Sequence, residues 1–107
     1  MRSLPISTSK KSNVSIAILR QAREDMQKSA AWYDEKQAGL GKRFLFEVVR
    51  TLLLVENNPL HYEVKFSKKF RYALVDDFPY VVVFKIKKQL VVINAVFHTS
   101  RNPKKFV

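Results

Sequence analysis

The hydrophobic period of the chain changes at Asn57, Asn58 and Pro59, and this change restricts the fold more than any other feature. Before it, apolar residues recur at the three- and four-residue spacing of helices. After it, they form short runs of Val, Ile, Phe and Tyr between polar turns, which is typical of strands. Proline lacks a backbone donor and disfavours helix in the residue before it. The sequence therefore predicts a helical part followed by a sheet part.

The helical part predicts two helices, and the second, over residues 40–56, has the clearer pattern. Its apolar residues form two adjacent rows at four-residue spacing, Leu40, Phe44, Val48 and Leu52 in one and Leu45, Val49 and Leu53 in the other. At ~1.5 Å per residue this helix spans roughly 25 Å, enough to cross a small sheet. The first helix is predicted over residues 22–37, with Glu24 and Asp25 in its first turn and Gly39 after its end.

Five strands complete the predicted fold, over residues 14–20, 61–66, 70–75, 80–87 and from residue 90 onward. The short linkers between the last four imply antiparallel hairpins. The sequence thus predicts an α+β fold in the order β-α-α-β-β-β-β. A small twisted, antiparallel-rich sheet of four to five strands packs against a two-helix hairpin. We expect residues 14–107 to form a single domain and residues 1–13 to form a flexible basic tail.

Composition excludes several classes of protein. The chain has 107 residues, of which 47% are hydrophobic, and no apolar run approaches the ~18 residues of a membrane span. Cysteine is absent, and residues 1–13 lack the apolar block of a secretion signal, so we expect a cytoplasmic protein without disulfides. The two histidines, His61 and His98, lack neighbouring cysteines or paired carboxylates, and two glycines cannot build a phosphate-binding loop. We therefore predict neither a metal nor a cofactor.

Positive charge is concentrated toward the end of the sequence. The formal net charge is +11: residues 1–13 contribute +3, residues 14–60 contribute +1, and residues 61–107, with ten cations and three acids, contribute +7. Such asymmetry predicts an anionic partner, which is a nucleic acid, a ribosome or an acidic protein. The alternative is a charge that serves solubility alone.

A candidate site follows the last apolar run, in the stretch LVVINAVFHTSRNP. The Val- and Ile-rich half predicts a buried strand, and His98 and Arg101 come where that strand reaches the surface. Histidine changes its charge near neutral pH, and arginine is a fixed cation whose shape suits phosphate or carboxylate.

Several segments in the same order resemble the RelE/ParE superfamily of bacterial toxins from type II toxin–antitoxin pairs. These are WYDEKQAGLGKRFLFEV, NNP, KFRYALVDDFPYVVVF and AVFHTSRNP, within residues 15–103. The resemblance implies a twisted sheet with two helices on one face. It also implies growth inhibition that a cognate antitoxin, encoded beside the toxin, holds in check.

The superfamily contains two activities, and the resemblance implies either of them. RelE-like members cleave messenger RNA in the ribosomal decoding site, whereas ParE-like members poison DNA gyrase. Arg71 matches a strand arginine of the superfamily, but Val81 follows Tyr80 where RelE-like members often have a second arginine. The FPY and HTSRNP segments resemble the ParE side, so gyrase inhibition is the first hypothesis. A non-toxic basic nucleic-acid-binding module is a third alternative.

If the chain is an enzyme, it is an mRNA endoribonuclease, and three residues are then the catalytic candidates. His98 would act as general base or acid, while Arg71 and Arg101 would neutralise charge on the phosphate. Tyr72 and Tyr80 would stack on bases, and Lys65, Lys68 and Lys69 would bind the target or RNA. Each candidate also has a structural alternative. In these alternatives His98 only caps a strand end and Arg101 binds the C-terminal carboxylate or a backbone carbonyl. The tyrosines would then belong to the core, and the lysines would form a solvated hairpin.

The charge distribution also predicts how the antitoxin binds. Antitoxins of such pairs typically have an acidic, partly disordered C-terminal segment, which the positive charge of residues 61–107 suits. We expect that segment to lie over the helices and beside a sheet edge.

Overall fold

The computed structural model describes residues 15–65 and 69–100, which form two helices and a five-stranded sheet. The predicted tail over residues 1–13 lies outside the described residues. The elements in chain order are β1 (Ser15–Ile18), α1 (Arg20–Lys36), α2 (Leu40–Asn57), a 3₁₀ turn (Pro59–His61), β2 (Val64–Lys65), β3 (Phe70–Leu74), β4 (Tyr80–Lys87) and β5 (Leu90–His98). The predicted α+β class and element order are confirmed.

The sheet has the strand order β1-β5-β4-β3-β2. The last four strands pair antiparallel through hairpins, whereas β1 pairs parallel with β5. A parallel pair needs a long crossover connection, which the helical hairpin is part of. In the β4–β5 pair, Val83 lies opposite Ala95 and Phe84 opposite Ile93, so Asn94 is an extra residue in a bulge.

Helix α1 begins two residues earlier than predicted, because β1 leads into it through the single residue Leu19. Glu24 and Asp25 are therefore not in its first turn, and that prediction was wrong. The Asp25 carboxylate instead accepts a hydrogen bond from the backbone N–H of Val96, at 3.0 Å. Because β1 pairs with β5 only as far as Ile93, Asp25 satisfies a donor that the sheet leaves open.

Two glycines make the sharp turn between the helices possible. Gly39 has φ 89°, in the left-handed region that glycine enters without a steric penalty. Gly41 lies so close to α1 that a Cβ atom there would overlap the carbonyl oxygen of Ala30. Its N–H donates to the Asp34 carboxylate at 2.8 Å, which ties the start of α2 to α1.

The main core lies between the helices and one face of the sheet. The first row of α2 is buried over most of its length, with Phe44 and Val48 0% exposed and Leu52 5% exposed. In the second row Leu45 packs against this core, whereas Val49 and Leu53 are 46% and 59% exposed. The two rows are about 100° apart around the helix axis, and a single sheet covers only one of them.

The chain after Pro59 is less extended than predicted. Residues 59–61 form a 3₁₀ turn where the strand over residues 61–66 was predicted to begin, and among the described residues β2 is Val64–Lys65. On the sheet face away from the helices, a second apolar cluster contains Val81, Val83, Ala95 and Phe97. Within the described residues, no helix is long and apolar enough to cross a membrane.

Candidate functional site

Tyr80 and His98 meet at one end of the sheet, where β4 begins and β5 ends. They are directly opposite each other in the strand register, so both side chains lie on the same face. Tyr80 belongs to the core on the helix side, which places His98 on that side as well. Their ring centroids are 5.3 Å apart and the rings are nearly perpendicular. At the predicted site, where the last strand ends, the rings of Tyr80 and His98 therefore form an aromatic pair.

Helix α1 closes the other side of this pair and forms a cleft of about 510 Å³. The lining residues are Lys28, Ser29, Trp32, Tyr33, Tyr80, His98 and Ser100. Trp32 stands at the rim with 52% of its surface exposed. Tyr33 lies deeper, with its ring centroid 5.3 Å from that of Phe44 and 5.0 Å from that of Phe78. The cleft therefore has a wall of packed aromatic rings and a lysine, Lys28, in its lining.

Ser100 fixes the tautomer of His98. The backbone N–H of Ser100 donates to Nδ1 of His98 at 3.1 Å, and the hydroxyl oxygen lies 2.8 Å from the same atom. An amide can only donate, so Nδ1 is the acceptor, and the neutral ring carries its hydrogen on Nε2. The backbone turn is held by a further bond from the N–H of Thr99 to the carbonyl of Pro79, at 2.8 Å. His98 is thus a positioned donor beside an open cleft.

The hydroxyl of Tyr33 is kept protonated by its surroundings. Burial raises the pKa of Tyr33 above its usual value of 10.0, and the charge and hydrogen bond of Tyr80 raise it further. A neutral phenol can donate a hydrogen bond as well as accept one. The cleft therefore presents several hydrogen-bonding side chains and one lysine.

Arg71 lies far from this cleft. It is opposite Phe84 in the β3–β4 register, four residues along β4 from Tyr80. Four residues of ~3.3 Å and two strand spacings of ~4.8 Å place the Cα atoms of Arg71 and His98 roughly 16 Å apart. The guanidinium of Arg71 donates to the carbonyl of Tyr62 at 2.6 Å. The structure thus brings His98 together with Tyr80 but not with Arg71, and Arg101 lies outside the described residues.

The other predicted binding residues are also spread over the molecule. Tyr72 packs against the cluster on the sheet face away from the helices, opposite to the face of Tyr80. Lys69 is exposed beside the start of β3, whereas the side chain of Lys65 and all of Lys68 lie outside the described residues. Within residues 15–65 and 69–100, no three His, Cys, Asp or Glu side chains are grouped to hold a metal ion.

Four cleft residues on α1 were not identified from the sequence: Lys28, Ser29, Trp32 and Tyr33. Lys28 and Trp32 are four residues apart and so lie on one side of the helix, and this spacing is visible in the sequence. It does not show that α1 faces the end of β5. Ser100 was likewise not singled out as a neighbour of His98.

Comparison with known proteins assigns the chain to a family. A model of the ParE toxin of the type II toxin–antitoxin system parDE matches residues 16–103. A chain from the chromosomal ParDE TA system of P. aeruginosa has a similar structure, with a TM-score of 0.71 over 82% of this chain and 98% of that chain. The two sequences are 13% identical, so this likeness shows the fold alone. No curated protein sequence matches the chain.

Proposed function

Because the chain belongs to the ParE toxin family of type II toxin–antitoxin systems, we propose that it inhibits bacterial growth by binding DNA gyrase in the cytoplasm. A cognate antitoxin then neutralises it. The family match supports the toxin class, and the site geometry supports the choice of target. Residues 14–107 would form the toxin domain.

The observation that carries gyrase binding over RNA cleavage is the separation of Arg71 from His98. A metal-free nuclease needs an acid or base and a cation around one phosphate. Here the two Cα atoms are roughly 16 Å apart, and the Arg71 guanidinium is engaged by the Tyr62 carbonyl. Apart from Lys28, the cleft at His98 is lined by aromatic rings and hydroxyls, which suit binding to a protein surface. This arrangement supports an inhibitor that acts by occupying a surface of its target.

The proposed contact with gyrase is the cleft between α1 and the end of β5. Trp32 stands exposed at its rim, and exposed aromatic side chains beside a concave surface are common anchors of interfaces. Truncating such an anchor typically costs about 2 kcal/mol of binding free energy or more, which is roughly a thirtyfold loss of affinity.

The test is a supercoiling assay with purified toxin, DNA gyrase and relaxed plasmid. We expect wild-type toxin to inhibit supercoiling and to increase gyrase-dependent DNA breaks. Trp32→Ala and His98→Ala should raise the half-inhibitory concentration about tenfold or more. The matched control is Leu74→Ala, because Leu74 is also well exposed, at 64%, but points to the other face of the sheet. Unimpaired supercoiling at saturating toxin would refute gyrase as the target.

One observation favours RNA cleavage as a second candidate: His98 is fixed by Ser100 beside an open cleft that also contains Lys28. Primer extension on cellular RNA after induced expression separates the candidates. Cuts positioned within codons that His98→Ala abolishes would support a RelE-like endoribonuclease. A chain that does not arrest growth at all would instead be a non-toxic basic nucleic-acid-binding module.

The proposed antitoxin has an acidic C-terminal segment that covers the helices beside a sheet edge. The positive charge of residues 61–107 supports this partner, because opposite charges accelerate encounter at low ionic strength. We expect the association rate of toxin and antitoxin to fall as salt is added. A rate that is independent of ionic strength would contradict the electrostatic part of this proposal.

A further inference from the structure

Lysines are grouped at the end of the sheet that lies away from the cleft, on the β4–β5 hairpin. Lys85 and Lys87 are on β4, and Lys88 is in the turn that follows it. Phe84 and Ile86 pack in the core on the helix side, so Lys85 and Lys87 project from the opposite face of the sheet. We call Lys85, Lys87 and Lys88 the hairpin patch. It is separate from the cleft and from the outer face of the helices, the surfaces proposed for gyrase and the antitoxin.

The positive charge of the hairpin patch has no compensating carboxylate. Strands β3, β4 and β5 contain no Asp or Glu, and Asp76 and Asp77 lie at the other end of β4, where they pair with arginines of α2. Among residues 15–65 and 69–100, no ion pair includes a lysine of the patch. The patch is therefore a source of positive potential on the open face of the sheet.

Lys88 occupies a backbone position that does not favour lysine. Lys87 and Leu90 pair across the hairpin, so Lys88 and Gln89 form a two-residue turn. The φ angle of Lys88 is 59°, and turns of this kind favour Gly, Asn or Asp where φ is positive. A residue kept in an unfavourable conformation at an exposed turn indicates a role for its side chain. The property of Lys88 that Gly or Asn would not supply is its charge.

We propose that the hairpin patch binds the phosphate backbone of duplex DNA. Lys85 and Lys87 are two residues apart on one face of a strand, which is a spacing of roughly 6.6 Å. The phosphates of one DNA strand recur every ~3.4 Å along the helix axis, so this spacing matches two steps. Contacts to phosphate position a protein on DNA but do not read its sequence. The patch therefore binds DNA without sequence preference.

Two features favour duplex DNA over other anionic partners. Strand β4 is paired on both sides, with β3 and β5, so an acidic peptide cannot add beside it as a strand. The ring of Phe70 on the same face already has the Lys85 ammonium 5.9 Å from its centroid. Single-stranded nucleic acids depend on free aromatic rings for base stacking. Duplex DNA needs only the cations, because its phosphates line the outside of the helix.

The position of the patch indicates what this contact adds to the toxin. Tyr80, in the cleft, and Lys87 are seven residues apart on β4, or roughly 23 Å. A toxin that holds gyrase at the cleft would thus reach DNA bound to the same gyrase with its other end. This consequence rests on the proposed function, whereas DNA binding by the patch itself does not.

Fluorescence anisotropy with the purified full-length chain and a short labelled DNA duplex tests the patch without gyrase. We expect log affinity to fall against log salt concentration with a slope of about −3, because three lysines displace the counterions of about three phosphates. Lys87→Gln should reduce that slope by about 1 and the affinity at least about threefold. Lys42→Gln removes the same charge from an exposed position on α2 and should have a much smaller effect.

Lys88→Asn tests whether the lysine of the turn serves binding or the fold. Asn accepts a positive φ more readily than Lys, so the variant should have a Tm about 2–5 °C higher. Its affinity for the duplex should nevertheless fall at least about threefold. A lower Tm would show that the fold itself requires the lysine, and would overturn the argument from the turn.

Three results of the anisotropy assay would overturn DNA binding by the patch. These are no salt-dependent binding to the duplex, equal effects of Lys87→Gln and Lys42→Gln, and tighter binding to single-stranded RNA of the same length. Because no gyrase is present, such a failure is distinct from failure of the proposed target, which the supercoiling assay reports.

Discussion

The helix layer and the sheet layer of this molecule differ in charge. Helices α1 and α2 contain seven cations and six carboxylates, whereas residues 61–107 contain ten cations and three carboxylates. Two of those three, Asp76 and Asp77, lie between β3 and β4 and pair with arginines of α2. Arg50 lies 2.9 Å from Asp76, and Arg43 lies 2.8 Å from Asp77. Two carboxylates of the sheet layer thus form ion pairs with the helix layer.

This difference in charge suggests that the two layers contribute to different properties, the helix layer to stability and the sheet layer to association. The helix layer shares the core with the sheet and is nearly neutral, so its main contribution is to the stability of the fold. The strands β3, β4 and β5 contain no carboxylate, so the field of the sheet layer remains positive. If that division is correct, changes inside the helix layer should reduce stability, and changes of charge in the sheet layer should alter association more than stability.

The largest expected effect is in the helix layer, at Phe44. Its side chain is 0% exposed and its ring contacts those of Tyr33, Phe78 and Tyr80. Phe44→Ala should lower the free energy of unfolding by about 3–5 kcal/mol, measured by urea denaturation. Phe46→Ala is the matched control, since Phe46 is 63% exposed on the same helix, and it should change stability by less than about 0.5 kcal/mol. Equal losses would show that both faces of α2 are packed within the monomer.

A smaller effect is expected where the two helices approach each other. Gly41→Ala would place a methyl group against the Ala30 carbonyl, and we expect a loss of about 1–3 kcal/mol in the free energy of unfolding. At Gly39 a Cβ meets no atom within 4 Å, but φ is 89°, so Gly39→Ala should cost about 1 kcal/mol. Thermal denaturation of both variants checks whether Gly41→Ala is the more destabilising of the two. A more stable Gly41→Ala variant would mean that the helices are less closely packed.

The elements that could be predicted from sequence are those set by local pattern. The apolar rows and the Asn-Asn-Pro stop locate α2 to within one residue, because Pro59 ends a helix through its own chemistry. The start of α1 was missed because it depends on β1 running directly into the helix. The exposure of Val49 and Leu53 was missed because a period of 3.6 residues does not show how many partners cover a helix.

The site could be predicted only in part, for a related reason. His98 was named as a candidate because an apolar run ends beside it, and Tyr80 because an aromatic ring can stack on a base. Their partners Trp32 and Tyr33 come from α1, about 50 residues before Tyr80 and about 65 before His98, and reach the cleft only through the packing of α1 on β5. Arg71 was grouped with His98 because of residue type, and strand register places it elsewhere.

The charge of the sheet layer can be increased without a large loss of stability. Asp77→Asn removes the ion pair with Arg43, and both side chains are more than half exposed, so stability should change by less than about 1 kcal/mol. It should nevertheless accelerate association with the antitoxin at low salt. Glu24→Gln removes the same charge from exposed α1 and should have a smaller effect on that rate, measured by stopped flow. Equal accelerations by Asp77→Asn and Glu24→Gln would show that the association rate depends on the net charge of the protein and not on where the charge lies.

The smallest expected effect concerns the cleft at high pH. The pKa of Tyr33 is raised in the folded protein, first by burial and then by Tyr80, so folding favours the protonated phenol. The unfolded chain loses this proton first, once the pH passes the usual value of 10.0. The stability contributed by the neutral phenol is therefore fully present below pH 10.0 and is lost as the pH rises through the folded pKa. Tyr33→Phe should show a shallower decline of unfolding free energy above that pH than the wild type, measured by urea denaturation at successive pH values. An unchanged slope would mean that the phenol is as solvated in the cleft as in the unfolded chain.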